Sequence, residues 1–551
     1  MSFYAAEPSF APAEVFIDRA LYAMRSSNRF ENRSPTYATL SRNLTMRVSL
    51  AAQWLFLTAV IPTGWDCFVS AASGSESNPP NILLAISDDQ SFPHAGAYGC
   101  RGISTAAFDR VAAAGVLFTN GYCASPGCSP SRAALLTGRH TWELSEAGTH
   151  ASYFPKEFDT FPYMLERSGY HIGSTGKTWG PGNWRDAGWD ESPGGPKTMT
   201  ERMKSPKFIG TPDYAGNFES FLDSAPDEKP FFFWFGSYEP HRPYEPGIGV
   251  KNGKSIDDVE VPPYLPDTPE VRSDLLDYYF EIEWFDQHLA RMLKRLERDG
   301  QLENTLVIVT SDNGMPFPRA KANCYEAGIH VPLAISWPNS VPPGRQSDDL
   351  VGFVDLTATM LQAADVEAAT PLSGRSLLSL LKSNAEGVIE PDRDAIFAGR
   401  ERHSCSRHNN LAYPMRAIRT RDYLLIHNFR PDRWPAGHPK GFRDDPFGFY
   451  DIDAAPTKTL MIERRKEPDM KKLFELSVAK RPEYELFRLS DDPHCLKNLA
   501  QDRDLSIEMA ELKVKLRKEL HRTKDPRIGP GEGNVYETYP RFNVMRTFPP
   551  N

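Results

Sequence analysis

Long apolar stretches are scarce in this sequence of 551 residues. The longest, Leu50 to Pro62, falls short of the roughly 20 residues that a membrane-spanning helix needs, so no stable membrane span is expected. Positive charge is not in excess either. With 63 Lys and Arg against 72 Asp and Glu, the formal net charge is −9, which excludes a nucleic-acid binder working through a bulk basic field. An anionic substrate would then need locally concentrated cations. Cysteines number only seven (67, 100, 123, 128, 324, 405 and 495), with no C-x-x-C pair, so neither a disulfide framework nor a structural zinc site is indicated. Setting aside Cys67 and Cys128 leaves an odd number, hence at least one free thiol. No internal repeat and no G-x-S-x-G elbow is present, and Gly176-Lys177-Thr178 fails as the end of a phosphate loop because position 171 is His. What is there is an ordinary globular composition, 40% hydrophobic and 25% charged.

Met46-Arg47, the apolar stretch and Ser70-Ala71-Ala72 follow the order of a secretory signal. On this reading residues 1–78 are an N-terminal arm plus a signal peptide over 46–72, translation starts at Met46, and the protein is secreted or periplasmic. The other reading is a buried element behind a genuine arm. From Pro79 the chain alternates strand and helix patterns. Asn81–Ile86, Val116–Phe118, His171–Ser174, Pro230–Phe235, Thr305–Thr310 and Pro332–Trp337 read as strands, with helices over 105–114 (N-cap Ser104) and near 131–137, 159–168, 215–223 and 353–363. This predicts an α/β fold over 79–390, a large mainly parallel sheet sandwiched by helices. Leu275, Tyr279, Ile282, Phe285, Leu289, Met292 and Leu296 recur at helical steps and read as core packing. Beyond Glu390, short strands at Asp394–Ala398, Met415–Ile418, Tyr423–Asn428 and Tyr484–Leu489 and a helix near 505–521 predict a smaller α+β C-terminal domain, 391–525, built on a short antiparallel sheet. Residues 526–551 read as an extended tail.

Asp88-Asp89 follow directly on the first strand, at the end where open α/β sheets place ligands. Neighbouring carboxylates repel unless neutralised, and a hard cation such as Ca²⁺ or Mg²⁺ takes oxygen ligands. An exposed turn is the other reading. Thr305–Val309 likewise runs into Ser311-Asp312-Asn313-Gly314, so four oxygen donors at two strand ends suggest one shared metal site. In Cys128-Ser129-Pro130-Ser131-Arg132 the thiol precedes a helix start, which suits either a thiolate nucleophile or the buried small hydrophobe that cysteine often is. Gly399-Arg400-Glu401-Arg402-His403 is a charged run that either reaches a substrate from the smaller domain or is a solvated loop.

Cys128, Pro130 and Arg132, followed by Ala-Ala-Leu-Leu-Thr-Gly-Arg, resemble the C-x-P-x-R signature of the formylglycine-dependent sulfatases of the alkaline phosphatase superfamily. The resemblance runs from about residue 79 to 500. Asp88-Asp89 and Asp312-Asn313 match the family's metal-binding pairs, Gly176-Lys177 its Gly-Lys-Trp-His block, Pro240-His241-Arg242-Pro243 its histidine motif, and Lys321 its second sulfate-binding cation. Asp312 to Pro318, the Pro-His-Arg-Pro block and Tyr413-Pro414-Met415-Arg416 look closest to the heparan N-sulfatase (sulfamidase) branch and its bacterial relatives. Tyr484-Glu485-Leu486-Phe487, Asp491-Asp492-Pro493 and Asn498-Leu499-Ala500 resemble the closing block of that branch's small domain.

The resemblance implies hydrolysis of sulfate esters or N-sulfo groups of sulfated carbohydrates. Cys128 would be oxidised to formylglycine by a formylglycine-generating or anaerobic sulfatase-maturing enzyme. Ca²⁺, with Mg²⁺ as the alternative, would be held by Asp88, Asp89, residue 128, Asp312 and Asn313. Arg132 would orient residue 128, Lys177 and Lys321 would hold the sulfate, and His241 would protonate the leaving group. One departure stands out: where the family block ends in His, this chain has Trp179, which leaves His140 and His150 as substitutes to weigh. A phosphomonoester or phosphonate-ester hydrolase, or an inactive carbohydrate-binding relative, are the competing functions.

Overall fold

A strand that is apolar at every position must be covered on both faces. The computed structural model, which describes residues 79–226 and 228–550, meets that requirement. The arm and the signal-like segment 46–72 lie outside the described residues. Seven strands form one sheet in the order His171–Gly176, Phe231–Gly236, Asn81–Ser87, Thr305–Ser311, Leu333–Ser336, Val116–Phe118 and Arg345–Ser347. Ile82, Leu84 and Ile86 share one core with Phe232, Trp234, Leu306 and Ile308. Leu83 and Ala85 enter the other core, with Phe231, Phe233, Phe235, Val307 and Val309. The two-residue period of a strand thus feeds two cores from one apolar run. Helices Cys128–Thr137, Phe161–Arg167 and Phe353–Ala363 cover the first face. Ala106–Ala113, Tyr214–Asp223 and the later turns of Pro269–Arg298 cover the second.

The sheet is mainly parallel, with one antiparallel member. Leu333–Ser336 opposes both Thr305–Ser311 and Val116–Phe118. Between residues 312 and 332 only the four-residue helix Glu326–Ile329 forms, so nothing carries the chain back across the sheet face and it re-enters from the end it left. A second sheet, antiparallel throughout, runs Ile396–Arg400, Met415–Arg419, Tyr423–Asn428 and Tyr484–Arg488. Helix Ser506–Arg522 lays Leu512, Leu516 and Leu520 on one face of it, against Ile418, Leu425 and Leu486. The other face gives Ala398, Ala417, Leu424, Ile426 and Phe487 to the first core of the large sheet.

The charged run at 399–403 is not a solvated loop. Arg400, Glu401 and Arg402 are buried. Arg400 pairs with Asp451, and Arg402 donates to the Tyr539 and Pro540 carbonyls, both at 2.8 Å. Residues 526–550, read as an extended tail, carry only the short turns Pro526–Ile528 and Asn534–Glu537, yet they are fastened down. Tyr536 is buried and its hydroxyl donates to the Trp142 carbonyl at 3.1 Å, and Arg541 donates to the His403 carbonyl at 2.8 Å.

A buried ionic network joins this segment to the small sheet. Arg416 binds Asp525 at 2.6 Å and Glu401 at 2.8 Å, and Arg527 binds Glu401 at 2.5 Å. Burial alone would raise the Glu401 carboxyl, but Arg527 and Arg416 outweigh it and hold it below the usual range. Arg416→Ala leaves Asp525 with no cationic partner and Glu401 with one fewer, and is expected to cost about 3–5 kcal/mol. Since the folded Glu401 titrates lower than the unfolded one, its contribution is full above the ordinary Glu range and fades as pH falls through it. Urea midpoints of wild type and variant, taken at neutral and acid pH, should therefore converge on acidification. Equal midpoints at neutral pH would contradict the network.

Candidate active site

Strands Asn81–Ser87 and Thr305–Ser311 pair in parallel up to Ser87 opposite Ser311, so the residues that follow each strand emerge side by side. Asp312 Oδ1 accepts from the Asp89 backbone N–H at 3.0 Å, and Asn313 Nδ2 donates to Asp89 Oδ1 at 2.7 Å. Asp88, Asp89 and Asp312 are all buried. Three buried carboxylates this close need compensating charge. It comes from Lys177 Nζ on Asp88 (2.7 and 2.9 Å), Arg132 Nε on Asp312 (2.7 Å) and Lys321 Nζ on Asp89 (2.5 Å). Lys321 also lies 3.3 Å from Asp453.

Each cation is delivered by a local feature. Gly176 ends its strand at φ +70°, and a Cβ there would stand 1.9 Å from the Gly236 carbonyl. Only glycine lets these strand ends approach so closely and turn Lys177 toward Asp88. Cys128 opens helix Cys128–Thr137, placing Arg132 one turn on, inside the cluster. The Ala322 N–H donates to the Pro126 carbonyl at 2.7 Å, tying the Lys321 loop to the one that precedes Cys128.

Burial dominates the electrostatics. It raises the Asp312 carboxyl despite Arg132 beside it, whereas at Asp88 burial is opposed by Lys177, His241 and Arg132, which together hold the carboxyl low. Burial also pushes the Cys128 thiol up, against the lowering effect of Lys177 and Lys321. Among the described residues, Asn313 Oδ1, an acceptor, finds no hydrogen-bond partner, nor does Arg132 Nη2, a donor 3.9 Å from Asp88 Oδ1. Buried polar groups are normally paired. An orphan acceptor beside three carboxylates suits a hard cation, and an orphan guanidinium N–H suits an anion. One ligand atom each from Asp88, Cys128 and Asp312 lie within 4.8 Å of one another. The donor set therefore fits an oxygen-seeking dication in all but the sulfur, which is a soft ligand.

The histidines divide sharply. His140 is spent on Glu519 at 2.9 Å and stacks on Trp142, which removes it as a substitute for the missing family histidine. His150 puts Nε2 3.6 Å from Cys128 Sγ, with a buried, unpartnered Nδ1. Its backbone N–H is held by the Arg402 carbonyl at 3.2 Å and its ring lies 4.7 Å from His403. Burial drives both imidazoles toward the neutral form, His403 down to about 3. Trp179 is buried edge-on to Phe154. His241 donates Nδ1–H to the Arg242 carbonyl at 2.7 Å, leaving Nε2 3.9 Å from Asp89. A cavity of about 460 Å³ opens beside Asp88, Lys177 and His241. Asp453 was not expected as a site residue, and His403 only as part of a run that could reach a substrate. Asp453 lies in an irregular segment with no motif around it, whereas His403 belonged to the charged run already singled out.

Comparisons with known proteins follow the geometry. The family described as Sulfatase matches residues 80–366, and the family described as N-sulphoglucosamine sulphohydrolase, C-terminal, matches residues 320–473. The chain is 30% identical to human N-sulphoglucosamine sulphohydrolase over 499 residues, covering 84% of this chain and 94% of that protein. It is 26% identical to an ulvan-active sulfatase of Formosa agariphila, covering 80% of this chain and 74% of that one. Among solved structures, BT4656 in complex with its substrate D-glucosamine-2-N,6-O-disulfate superposes with TM-score 0.59 at 19% identity, covering 81% and 98% of the two chains. The phosphonate monoester hydrolase of Agrobacterium radiobacter gives TM-score 0.60 at 18% identity, covering 82% and 97%. At such identities the structural likeness speaks for the fold.

The close approach of Gly176 and Gly236 makes a direct prediction. Gly176→Ala combines a strained positive φ with a backbone clash and should destabilise by at least about 1–3 kcal/mol. A thermal midpoint equal to that of wild type would mean that the strand ends are not packed as described.

Proposed function

The chain belongs to the sulfatase family, and from that premise we propose that it removes sulfate from a sulfated carbohydrate, with residue 128 acting as formylglycine beside a bound Ca²⁺ or Mg²⁺. The observation that carries this reading is the position of Cys128: its sulfur lies within a cluster otherwise built of oxygen donors, against cations suited to an anion. Oxidation to an aldehyde, which hydrates to a diol, would replace the soft ligand by a hard one and supply the nucleophile. Asp88, Asp89, Asp312 and Asn313 would hold the metal, whose charge when bound polarises a sulfate oxygen.

The remaining work falls to the protein's own side chains. Lys177, Lys321 and the Nη2–H of Arg132, which lies 3.9 Å from Asp88, would form a fixed set of donors for sulfate oxygens, already oriented before any charge develops. Arg132, anchored on Asp312 and on the Lys177 carbonyl, keeps the start of helix Cys128–Thr137 in register with the carboxylates. His241, its Nδ1–H held by the Arg242 carbonyl, would give a proton from Nε2 to the departing oxygen or nitrogen in its imidazolium form and be left as the neutral Nδ1–H tautomer. His150 is the hydrogen-bond partner of residue 128, in the part left open by Trp179.

Cys128 is 1% exposed, so a maturing enzyme would have to reach it before the fold closes. Export is the compartment that fits this reading. No helix among the described residues is long and apolar enough to cross a membrane.

Three measurements test the proposal. Peptide mass spectrometry of the 128 segment, from protein co-expressed with a maturing enzyme, should find the aldehyde; thiol alone in active material would sink the formylglycine chemistry. Chelation should abolish turnover and added Ca²⁺ or Mg²⁺ should restore it, with aryl sulfate preferred over aryl phosphate. The reverse preference would favour the phosphoester or phosphonate reading. His150→Ala should lower kcat by about 100-fold through misplacement of the nucleophile, whereas His140→Ala should lower stability more than kcat. Equal effects on kcat would remove His150 from the site.

A further inference from the structure

Helix Pro269–Arg298 directs three carboxyl groups, at positions 274, 277 and 281, from one face. Two have evident employment. Asp274 holds Arg242 in a two-point pair at 2.8 and 2.9 Å, and Asp277 accepts the Gly247 and Gly249 N–H groups at 2.8 and 3.0 Å. Glu281 does not. Its side chain lines the cavity beside Lys177 and His241, the residue is 1% exposed, and its Oε2 has no hydrogen-bond partner among the described residues.

Other carboxyl groups around that cavity are satisfied. Asp88 is paired with Lys177, and Glu239 accepts from the Gly210 N–H at 3.0 Å, the Tyr214 hydroxyl at 2.9 Å and the Ser237 hydroxyl at 2.5 Å. Burial, reinforced by the nearby charge of Glu239, holds the Glu281 carboxyl well above the ordinary range. A neutral carboxyl can both donate and accept a hydrogen bond. A buried polar oxygen without a partner destabilises a fold, which leaves a ligand as the natural partner at this position. The cavity, at about 460 Å³, has room for a sugar ring as well as the sulfate. Phe208 and Tyr238 also line it, 49% and 40% exposed, and offer ring faces to the C–H side of a pyranose.

We propose that Glu281 is a specificity residue, hydrogen-bonding a hydroxyl or amino group of the sugar that carries the sulfate. This rests on the sulfatase reading above. An aryl sulfate has no such group and makes no use of the contact. A site built to bind a sugar hydroxyl loses selectivity once its partner is removed.

The experiment compares wild type, Glu281→Gln and Glu281→Leu on D-glucosamine 2-N-sulfate, D-glucosamine 6-sulfate and 4-nitrophenyl sulfate. For Glu281→Leu, the fall in kcat/KM on at least one sulfated glucosamine should exceed the fall on the aryl sulfate by about tenfold or more, mainly through KM. Glu281→Gln should recover most of that loss. The unfolding midpoint of the free Leu variant should not drop, because no hydrogen bond of Glu281 Oε2 is lost and a side chain of similar size stays in place. Equal losses on sugar and aryl substrates, or a lower midpoint with no change in selectivity, would overturn the proposal. If wild type cleaves no sulfate at all, the sulfatase reading fails separately. Glu281 is then judged by calorimetry of the same glucosamine sulfates on full-length Cys128→Ala protein. Affinity weakened at least about tenfold by Glu281→Leu supports the role; unchanged or undetectable binding overturns it.

Discussion

Like charges forced together out of water are the constraint around which this molecule is arranged. Asp88, Asp89 and Asp312 are brought within reach of one another by the pairing of two parallel strands, and none is solvated. Their proximity is tolerable only because Lys177, Arg132 and Lys321 arrive from three other segments. Those segments are in turn fixed by a glycine contact, a helix start and a tied loop. The cluster is a reason for the fold's detail as much as a product of it: breaking any one ion pair leaves an uncompensated charge in a low-dielectric interior, which costs more than the pair contributes when intact.

Much of this was legible in the chain. Strands buried on both faces announce themselves as apolar runs, so six of the seven strands of the large sheet and the residues at their ends could be read directly, as could the four strands of the smaller sheet; Arg345–Ser347, the seventh, is polar throughout and gave no such signal. The direction of Leu333–Ser336 could not be read either, because polarity along a sheet depends on where the preceding loop travels and not on the strand's composition. The run Gly399–His403 shows a similar limit. Its charges look solvated in one dimension, and only tertiary contacts with Asp451, Arg416, Arg527 and the carbonyls of residues 539 and 540 reveal them as internal fasteners.

The site itself was partly readable. Asp88, Asp89, Cys128, Arg132, Lys177, Asp312, Asn313 and Lys321 sit in short motifs next to predicted elements and converge. Asp453 had no such signature, since an acidic residue in an irregular segment is ordinary. His140 and His150 were indistinguishable by pattern. What separates them is that His140 falls against helix Ser506–Arg522 whereas His150 is drawn under the end of strand Ile396–Arg400 by a backbone hydrogen bond. Nearness in sequence to Cys128 carried no information about nearness in space.

The docking of the final segment has a consequence for vectorial synthesis. A nascent chain that has emerged as far as Asn313 already possesses the three carboxylates, the cysteine and two of the three cations. The third cation comes with Lys321, its second counter-charge with Asp453, and the backbone brace beneath His403 only with Arg541. During translation the carboxylates therefore exist for some time without their full complement of neutralising partners, and water must screen them. The full set of counter-charges around the pocket thus draws on residues spread from position 132 to position 453, and the brace beneath His403 on residue 541.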